Sequence, residues 1–133
     1  MKVIGYTIEI EGIDKTGKDL IKQYIIELSN YKYVVHTRGI LSNMVYAEKY
    51  NRDFDYIINY KPIIIYLEVN RDDWDIRCKI NHEPKIDYEL DLNLFEKYIN
   101  TLKTQEVMIL RYNTSEITPI NIAKSVLNYI DTC

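Results

Sequence analysis

Cysteine, histidine, proline and glycine are all scarce in this sequence of 133 residues, which has two, two, three and four of them, respectively. The two cysteines, Cys78 and Cys133, have no metal-type spacing and do not indicate a disulfide framework. No set of histidine, cysteine and aspartate has the spacing of a structural zinc site. We therefore expect free thiols in a reducing cytoplasm.

Long apolar runs and a large charge excess of one sign are also lacking. No stretch approaches the ~20 apolar residues that cross a bilayer, and the segment 1–10 lacks the cleavage site of a signal peptide. The net charge of −3 disfavours non-specific binding to nucleic acid, but it is compatible with a local basic site for phosphate groups. We expect neither a membrane nor a nucleic acid as a partner.

What the sequence does contain is an alternation of two patterns over the length of one domain, 1–133. Runs rich in Val, Ile and Tyr predict strands at 3–10, 31–36, 62–69 and 106–112. Apolar residues at helical spacing predict helices at 18–29, 72–80 and 91–103, one or two helices over 40–60, and a last helix that Thr118 caps and Pro119 opens. The alternation predicts an α/β fold, with a mostly parallel sheet flanked by helices on both faces and ligands at the carboxyl ends of the strands.

A glycine-rich loop follows the first predicted strand. Gly12, Gly17 and Lys18 match the pattern G-x-x-x-x-G-K, in which backbone N–H groups turn toward phosphate groups and the lysine adds a charge. An ordinary strand–turn–helix connection is the alternative. The residues that we predict to bind nucleotide are Gly12, Ile13, Asp14, Lys15, Thr16, Gly17, Lys18, Asp19 and Leu20.

Asp19 stands where this pattern has a serine or threonine whose hydroxyl binds Mg²⁺. A carboxylate is able to bind the ion directly, because Mg²⁺ accepts oxygen ligands. Without a cation it would repel a triphosphate by about 4 kcal/mol for two charges ~4 Å apart. A third interpretation is a helix-terminal carboxylate that interacts favourably with the helix dipole.

Two motifs together resemble thymidylate kinases and related deoxynucleotide and deoxynucleoside kinases. "IEIEGIDKTGKD" (8–19) resembles the family motif EGxDGxGKTT, and "HTRGILSNMVYAEKYNR" (36–52) resembles its Asp-Arg-x-x-x-Ser-x-x-x-Tyr region. The segments 66–83 and 106–130 are similar to the strand with an arginine-bearing lid and to the closing strand and helix. The pair of motifs resembles in particular the short thymidylate-kinase-like proteins of bacteriophages. The resemblance implies a shortened P-loop NTPase fold, a three-layer sandwich, with ATP and Mg²⁺ as cofactors.

The resemblance also implies a role for single residues. Lys18, Arg38 and Arg77 match catalytic cations, with Arg71 as a weaker competitor of Arg77 for the lid position. The residues that match the acceptor pocket are Asp14, Arg38, Ser42 and Tyr46. A homodimer is implied as well, because thymidylate kinases commonly pair through helices.

Three features depart from the family pattern. The family's Asp before the arginine is Thr37, its second loop threonine is Asp19, and a strand and helix between residues 30 and 36 are missing. Because one carboxylate is lost at 37 and another is gained at 19, we hypothesise that they exchange roles toward the metal ion.

Three functions therefore stay open. The first is a kinase that transfers the γ-phosphoryl of ATP to a deoxynucleoside monophosphate such as dTMP. The second is a catalytically impaired module that retains nucleotide binding. The third is a host-interaction protein that reuses the fold. We expect a cytoplasmic location, in the host if the protein is phage-encoded.

Overall fold

The computed structural model describes residues 7–13, 16–53, 62–80 and 88–132, where strands and helices alternate. The strands are β1 (Thr7–Glu11), β2 (Val34–His36), β3 (Ile63–Glu68) and β4 (Met108–Asn113). The helices are α1 (Lys18–Leu28), α2 (Ile40–Lys49), α3 (Arg71–Ile80), α4 (Tyr88–Lys103) and α5 (Pro119–Asp131). Within these ranges the predicted alternation is confirmed.

The four strands of the described ranges form one parallel sheet in the order β2-β1-β3-β4. Residues of β1 and β3 are nearly all buried, because helices cover both faces. The chain leaves β1 in one direction to form β2 and then crosses back to β3 on the other side of β1. This reversal opens a crevice at the carboxyl ends of β1 and β3, where ligands of such sheets bind.

Two apolar clusters, one on each face of the sheet, make this a three-layer sandwich. The first cluster joins Ile8 and Ile10 of β1 to α1 and α5. The second joins Ile64 and Tyr66 of β3 to α2, α3 and α4. The side chains of a strand alternate between the two clusters, as the period of a strand requires. The predicted α/β sandwich with a parallel sheet is therefore confirmed.

The segment 40–60, predicted as one or two helices, begins with the helix α2 within the described residues. This helix ends at Lys49 because Asn51 takes a left-handed conformation, with φ of 52°, and the chain closes with the bonds Asn51 N–H to Glu48 O and Arg52 N–H to Ala47 O. These are the two bonds of a Schellman motif. The remainder of the prediction, 54–60, lies outside the described residues.

One smaller expectation changed at the start of a helix. Thr118 is the N-cap of α5 and Pro119 opens it, but the Thr118 side chain makes no capping hydrogen bond. On α3, Trp74 is buried, whereas Ile76 is exposed. None of the helices in the described ranges combines the length and the apolar composition needed to span a bilayer.

Candidate functional site

The glycine-rich loop lies in the crevice at the carboxyl ends of β1 and β3. Gly12 has φ of 140°, and a Cβ atom on it would lie 2.4 Å from the Leu67 carbonyl oxygen of β3. Only glycine permits this backbone conformation together with so close an approach. Gly17 is the N-cap of α1 with φ of 85°, and a Cβ atom there would meet no atom within 4 Å. The two glycines therefore have different roles, since Gly12 lets the loop pack on β3 and Gly17 starts α1.

Lys18, the lysine of the loop motif, is folded inward and buried. Its Nζ atom donates a hydrogen bond of 2.7 Å to the Ile13 carbonyl oxygen, which also accepts one of 2.9 Å from Thr16 Oγ1. These bonds hold the side chains of Thr16 and Lys18 against the Ile13 carbonyl oxygen. Asp14 and Lys15, predicted to belong to the same nucleotide site, lie outside the described residues.

Asp19 and Leu20 follow on the first turn of α1, and both are exposed. Asp19 lines a surface groove along the outer side of α1, together with Lys22 and Gln23. A carboxylate in the first turn of a helix also stabilises the helix dipole. Within the described residues, no group of three or more His, Cys, Asp or Glu side chains is arranged to hold a metal ion.

Arg38 follows β2 and lies beside Tyr46. Its Nη1 atom donates to the Tyr46 hydroxyl at 2.8 Å, and its guanidinium lies 5.3 Å from the centre of that ring. The backbone of Arg38 has φ of 124°, which L-residues rarely adopt. Tyr46 stacks on Tyr50 at 6.0 Å and meets Phe95 edge-on at 6.5 Å. The structure thus brings two of the predicted acceptor residues into direct contact.

Ser42, a third predicted acceptor residue, is buried and bound to Glu11. Its Oγ atom and its backbone N–H each donate a hydrogen bond of 2.6 Å to the Glu11 carboxylate. Glu11 also accepts from the Gly39 N–H at 3.1 Å, and Glu9 accepts from the Ile40 N–H at 3.0 Å. Burial is the main cause that raises the pKa of Glu11, and the nearby Glu9 raises it further, whereas the hydrogen bonds from Ser42 and Gly39 lower it.

Glu9 and Glu11 were not among the site residues predicted from the sequence. Glu9 and Glu11 are 2 % and 0 % exposed, and they point to the face of the sheet that α2 covers. A signal was present in the alternation Ile-Glu-Ile-Glu at 8–11, since both faces of a central parallel strand are normally apolar. Buried carboxylates at alternate positions of such a strand indicate partners on one specific neighbouring element.

Arg77, the predicted lid arginine, lies on α3 and contacts the loop after β4. Its Nη1 atom donates to Thr114 Oγ1 at 3.1 Å, and Thr114 in turn donates to the Glu68 carbonyl oxygen at the end of β3. Arg71, its competitor, lies over the rings of Trp74 and Tyr88, at 5.6 and 5.0 Å from their centres. The structure therefore ties Arg77, through Thr114, to the carboxyl ends of the two strands β3 and β4.

Comparison with known proteins adds one finding. No protein-family model matches this sequence, and no curated protein is significantly similar to it. A similar solved structure is the crystal structure of the YorR protein from Bacillus subtilis in complex with phosphorylated GDP, with a TM-score of 0.72 at 16% identity. The similarity covers 94% of this chain and 95% of that chain. It shows that the two chains share the same α/β fold over nearly their whole lengths.

Proposed function

We propose that this protein is a nucleotide kinase that transfers the γ-phosphoryl group of ATP to a deoxynucleoside monophosphate. The observation that carries the proposal is the placement of two cations at the same edge of the sheet. Lys18 follows β1, Arg38 follows β2, and these strands are parallel neighbours. Phosphoryl transfer needs the donor and the acceptor aligned and the charge on the moving group neutralised.

The donor binds, in this proposal, on the loop 12–20. A triphosphate replaces the Ile13 carbonyl oxygen as the partner of Lys18, because an anion is a stronger partner for an ammonium group than a neutral carbonyl. Gly17 begins α1 next to this point, so the positive end of that helix also faces the phosphate groups.

Mg²⁺ would be held by phosphate oxygens and by the Asp19 carboxylate, which is exposed in the first turn of α1 and has to turn from the outer groove toward the phosphate groups. This ligand set fits the ion, which is usually bound through one or two carboxylates and the phosphates of the substrate. The ion would neutralise charge between the phosphates. Asp19→Thr is then expected to weaken the dependence of turnover on Mg²⁺ and to lower activity; a variant with unchanged or higher activity would contradict this role.

The acceptor binds beside α2, with its phosphate on Arg38 and with Ser42, Tyr46 and Asp14 as pocket residues. Arginine offers two parallel hydrogen bonds to phosphate oxygens, which lysine does not. The Arg38 guanidinium donates to the Tyr46 hydroxyl at 2.8 Å, so the two proposed acceptor residues lie together. Arg77, which donates to Thr114 in the loop after β4, would add positive charge from that side of the site.

The test is a phosphotransfer assay with labelled ATP, Mg²⁺ and a panel of deoxynucleotides. The panel includes dTMP and also guanine nucleotides, since the structurally similar YorR protein was crystallised with phosphorylated GDP. We expect Lys18→Ala and Arg38→Ala each to reduce kcat/KM by about 10²-fold or more. Lys22→Ala, on the same helix as Lys18, and Arg52→Ala, after α2, are the matched controls. No turnover with any acceptor would refute the enzyme.

A nucleotide-binding module without catalysis is the second candidate. It is favoured by Asp19 and Thr37, which both replace residues linked with the metal ion in the kinases that the sequence resembles. Absent turnover together with nucleotide binding in calorimetry would support it. If ATP, ADP and deoxynucleotides all fail to raise the melting temperature, neither candidate holds, because a ligand of the native state must stabilise it. The host-interaction protein then becomes the better proposal.

A further inference from the structure

The first turn of α2 is capped by side chains of another element. Its N-cap is Gly39, it has no acidic residue in its first turn, and its first internal hydrogen bond runs from Asn43 N–H to Gly39 O. An α-helix leaves four N–H groups at this end without a partner inside the helix. Three of them here, on Gly39, Ile40 and Ser42, donate to the carboxylates of β1.

These bonds fix the chain directly after Arg38, the residue that precedes the N-cap Gly39. Arg38 has φ of 124°, a strained conformation that persists only where the surrounding structure imposes it. The next residue, Gly39, is held by Glu11 through its N–H and lies against Glu9 through its Cα. A Cβ atom on Gly39 would lie 2.2 Å from the nearest carboxylate oxygen of Glu9. The backbone beside Arg38 is therefore fixed from two sides.

We infer that Glu9 and Glu11 are positioning residues for Arg38. By binding the first turn of α2 they impose the strained backbone of Arg38, and this determines where its guanidinium meets the phosphate of a substrate. The inference rests on the proposed function only in taking Arg38 as the phosphate ligand. It goes beyond that function because neither glutamate contacts the substrate.

A second consequence concerns α2 itself. Helix N-termini commonly bind phosphate groups through their N–H groups. In α2 the N–H groups of Gly39, Ile40 and Ser42 are already bound to two buried carboxylates. The acceptor phosphate is therefore held by the Arg38 side chain without help from these three N–H groups.

A double-mutant cycle between the glutamates and Arg38 tests the inference. We expect Glu9→Ala and Glu11→Ala to reduce kcat/KM for the acceptor by about 10²-fold, as displacement of a catalytic group by ~1 Å does, with KM for ATP unchanged. In the Arg38→Ala background the same substitutions should change kcat/KM by less than about twofold, because they act through Arg38. Equal effects in both backgrounds would overturn the inference and leave the glutamates a purely structural role.

Three further variants keep the test informative if the alanine variants do not fold. Glu9→Gln retains an oxygen that accepts from the Ile40 N–H and should recover most of the lost activity. Glu11→Gln places an NH₂ group opposite one of the donors of Gly39 and Ser42, so it should recover less. Gly39→Ala should be impaired, because its Cβ atom would clash with the Glu9 carboxylate. Gly39→Ala with wild-type activity, or no recovery in Glu9→Gln, would count against the inference.

The control is Asp91→Asn, which removes a buried carboxylate at the other end of α2. Asp91 binds Lys49 at 2.7 Å and is 4 % exposed. We expect it to lower stability while its effect on kcat/KM adds to that of Arg38→Ala. If Asp91→Asn couples to Arg38→Ala as strongly as Glu9→Ala does, then any disturbance of α2 affects Arg38. That result would overturn a positioning role specific to Glu9 and Glu11.

Failure of the proposed function gives a different result from failure of this inference. If the wild-type protein neither transfers phosphate nor binds nucleotide, the proposed function is wrong. Crystal structures of Glu9→Ala and Glu11→Ala then decide the inference. Arg38 should move to a negative φ and lose its hydrogen bond with Tyr46; an unchanged Arg38 would overturn the positioning role.

Discussion

Alanine substitutions of the two loop glycines should destabilise the protein to different extents. In Gly12→Ala the new Cβ atom would lie 2.4 Å from the Leu67 carbonyl oxygen. Cβ atoms in proteins essentially never approach another atom more closely than 3.0 Å, so the two atoms must separate by at least 0.6 Å. Leu67 is paired with Tyr112 in the sheet, and its carbonyl has little freedom to move. Overpacking costs about 1–3 kcal/mol and a positive φ a similar amount, so we expect a loss of about 2–6 kcal/mol.

Gly17→Ala is the matched control, since it also has a positive φ but no atom within 4 Å of the new Cβ atom. Only the conformational term applies, which is about 1–2 kcal/mol. At roughly 4 °C per kcal/mol for a domain of this size, Gly12→Ala should melt about 8–24 °C and Gly17→Ala about 4–8 °C below the wild type.

Thermal unfolding followed by circular dichroism, without nucleotide, measures this difference. Both proteins carry the same chemical change in the same loop, so the comparison isolates the approach of Gly12 to β3. If Gly12→Ala melts within about 3 °C of Gly17→Ala, given the scale above, the close packing of the loop on Leu67 is refuted.

Three further predictions concern buried polar groups. Tyr66→Phe should be neutral or stabilise by about 1 kcal/mol in denaturant unfolding, because among the described residues its buried hydroxyl has no hydrogen-bond partner; a clear loss would reveal a partner. Asp91→Asn should cost about 2–3 kcal/mol by the same method, since it leaves the Lys49 ammonium group without its carboxylate; an unchanged midpoint would contradict this. The raised pKa of Glu11 means that the native state binds a proton more tightly than the unfolded state. Its contribution to stability is therefore most favourable below the ordinary carboxyl pKa and declines as pH rises through the raised value. The difference in unfolding free energy between wild type and Glu11→Gln should decline over that window, and a difference that grows with pH would show that the sign is wrong.

The order of elements could be read from the sequence because each element carries its own periodicity. The alternating and continuous apolar runs gave β1 and β3, and the stripe from Ile122 to Ile130 gave α5. The glycine spacing also placed the loop correctly at the end of β1. These are local patterns, and local patterns are what a single sequence records.

Contacts between distant segments could not be read in the same way. Glu11 meets Ser42 across 31 positions and Arg77 meets Thr114 across 37, and no local pattern pairs them. The positive φ of Arg38 is equally hidden, since arginine has no preference for it and the surrounding hydrogen bonds impose it. The end of α2 at Lys49 had a readable signal in Asn51, a residue that commonly closes helices in this conformation.

The packing of α5 against α1 has a consequence for how the protein is made on the ribosome. Ile21 and Ile25 of α1 are buried in the same cluster as Ile122 and Val126 of α5. A nascent chain from which α5 has not yet emerged therefore leaves the part of α1 that packs on α5 exposed to water. We expect α1, and the turn at Gly17 that starts it, to gain the native packing only after α5 has left the ribosome.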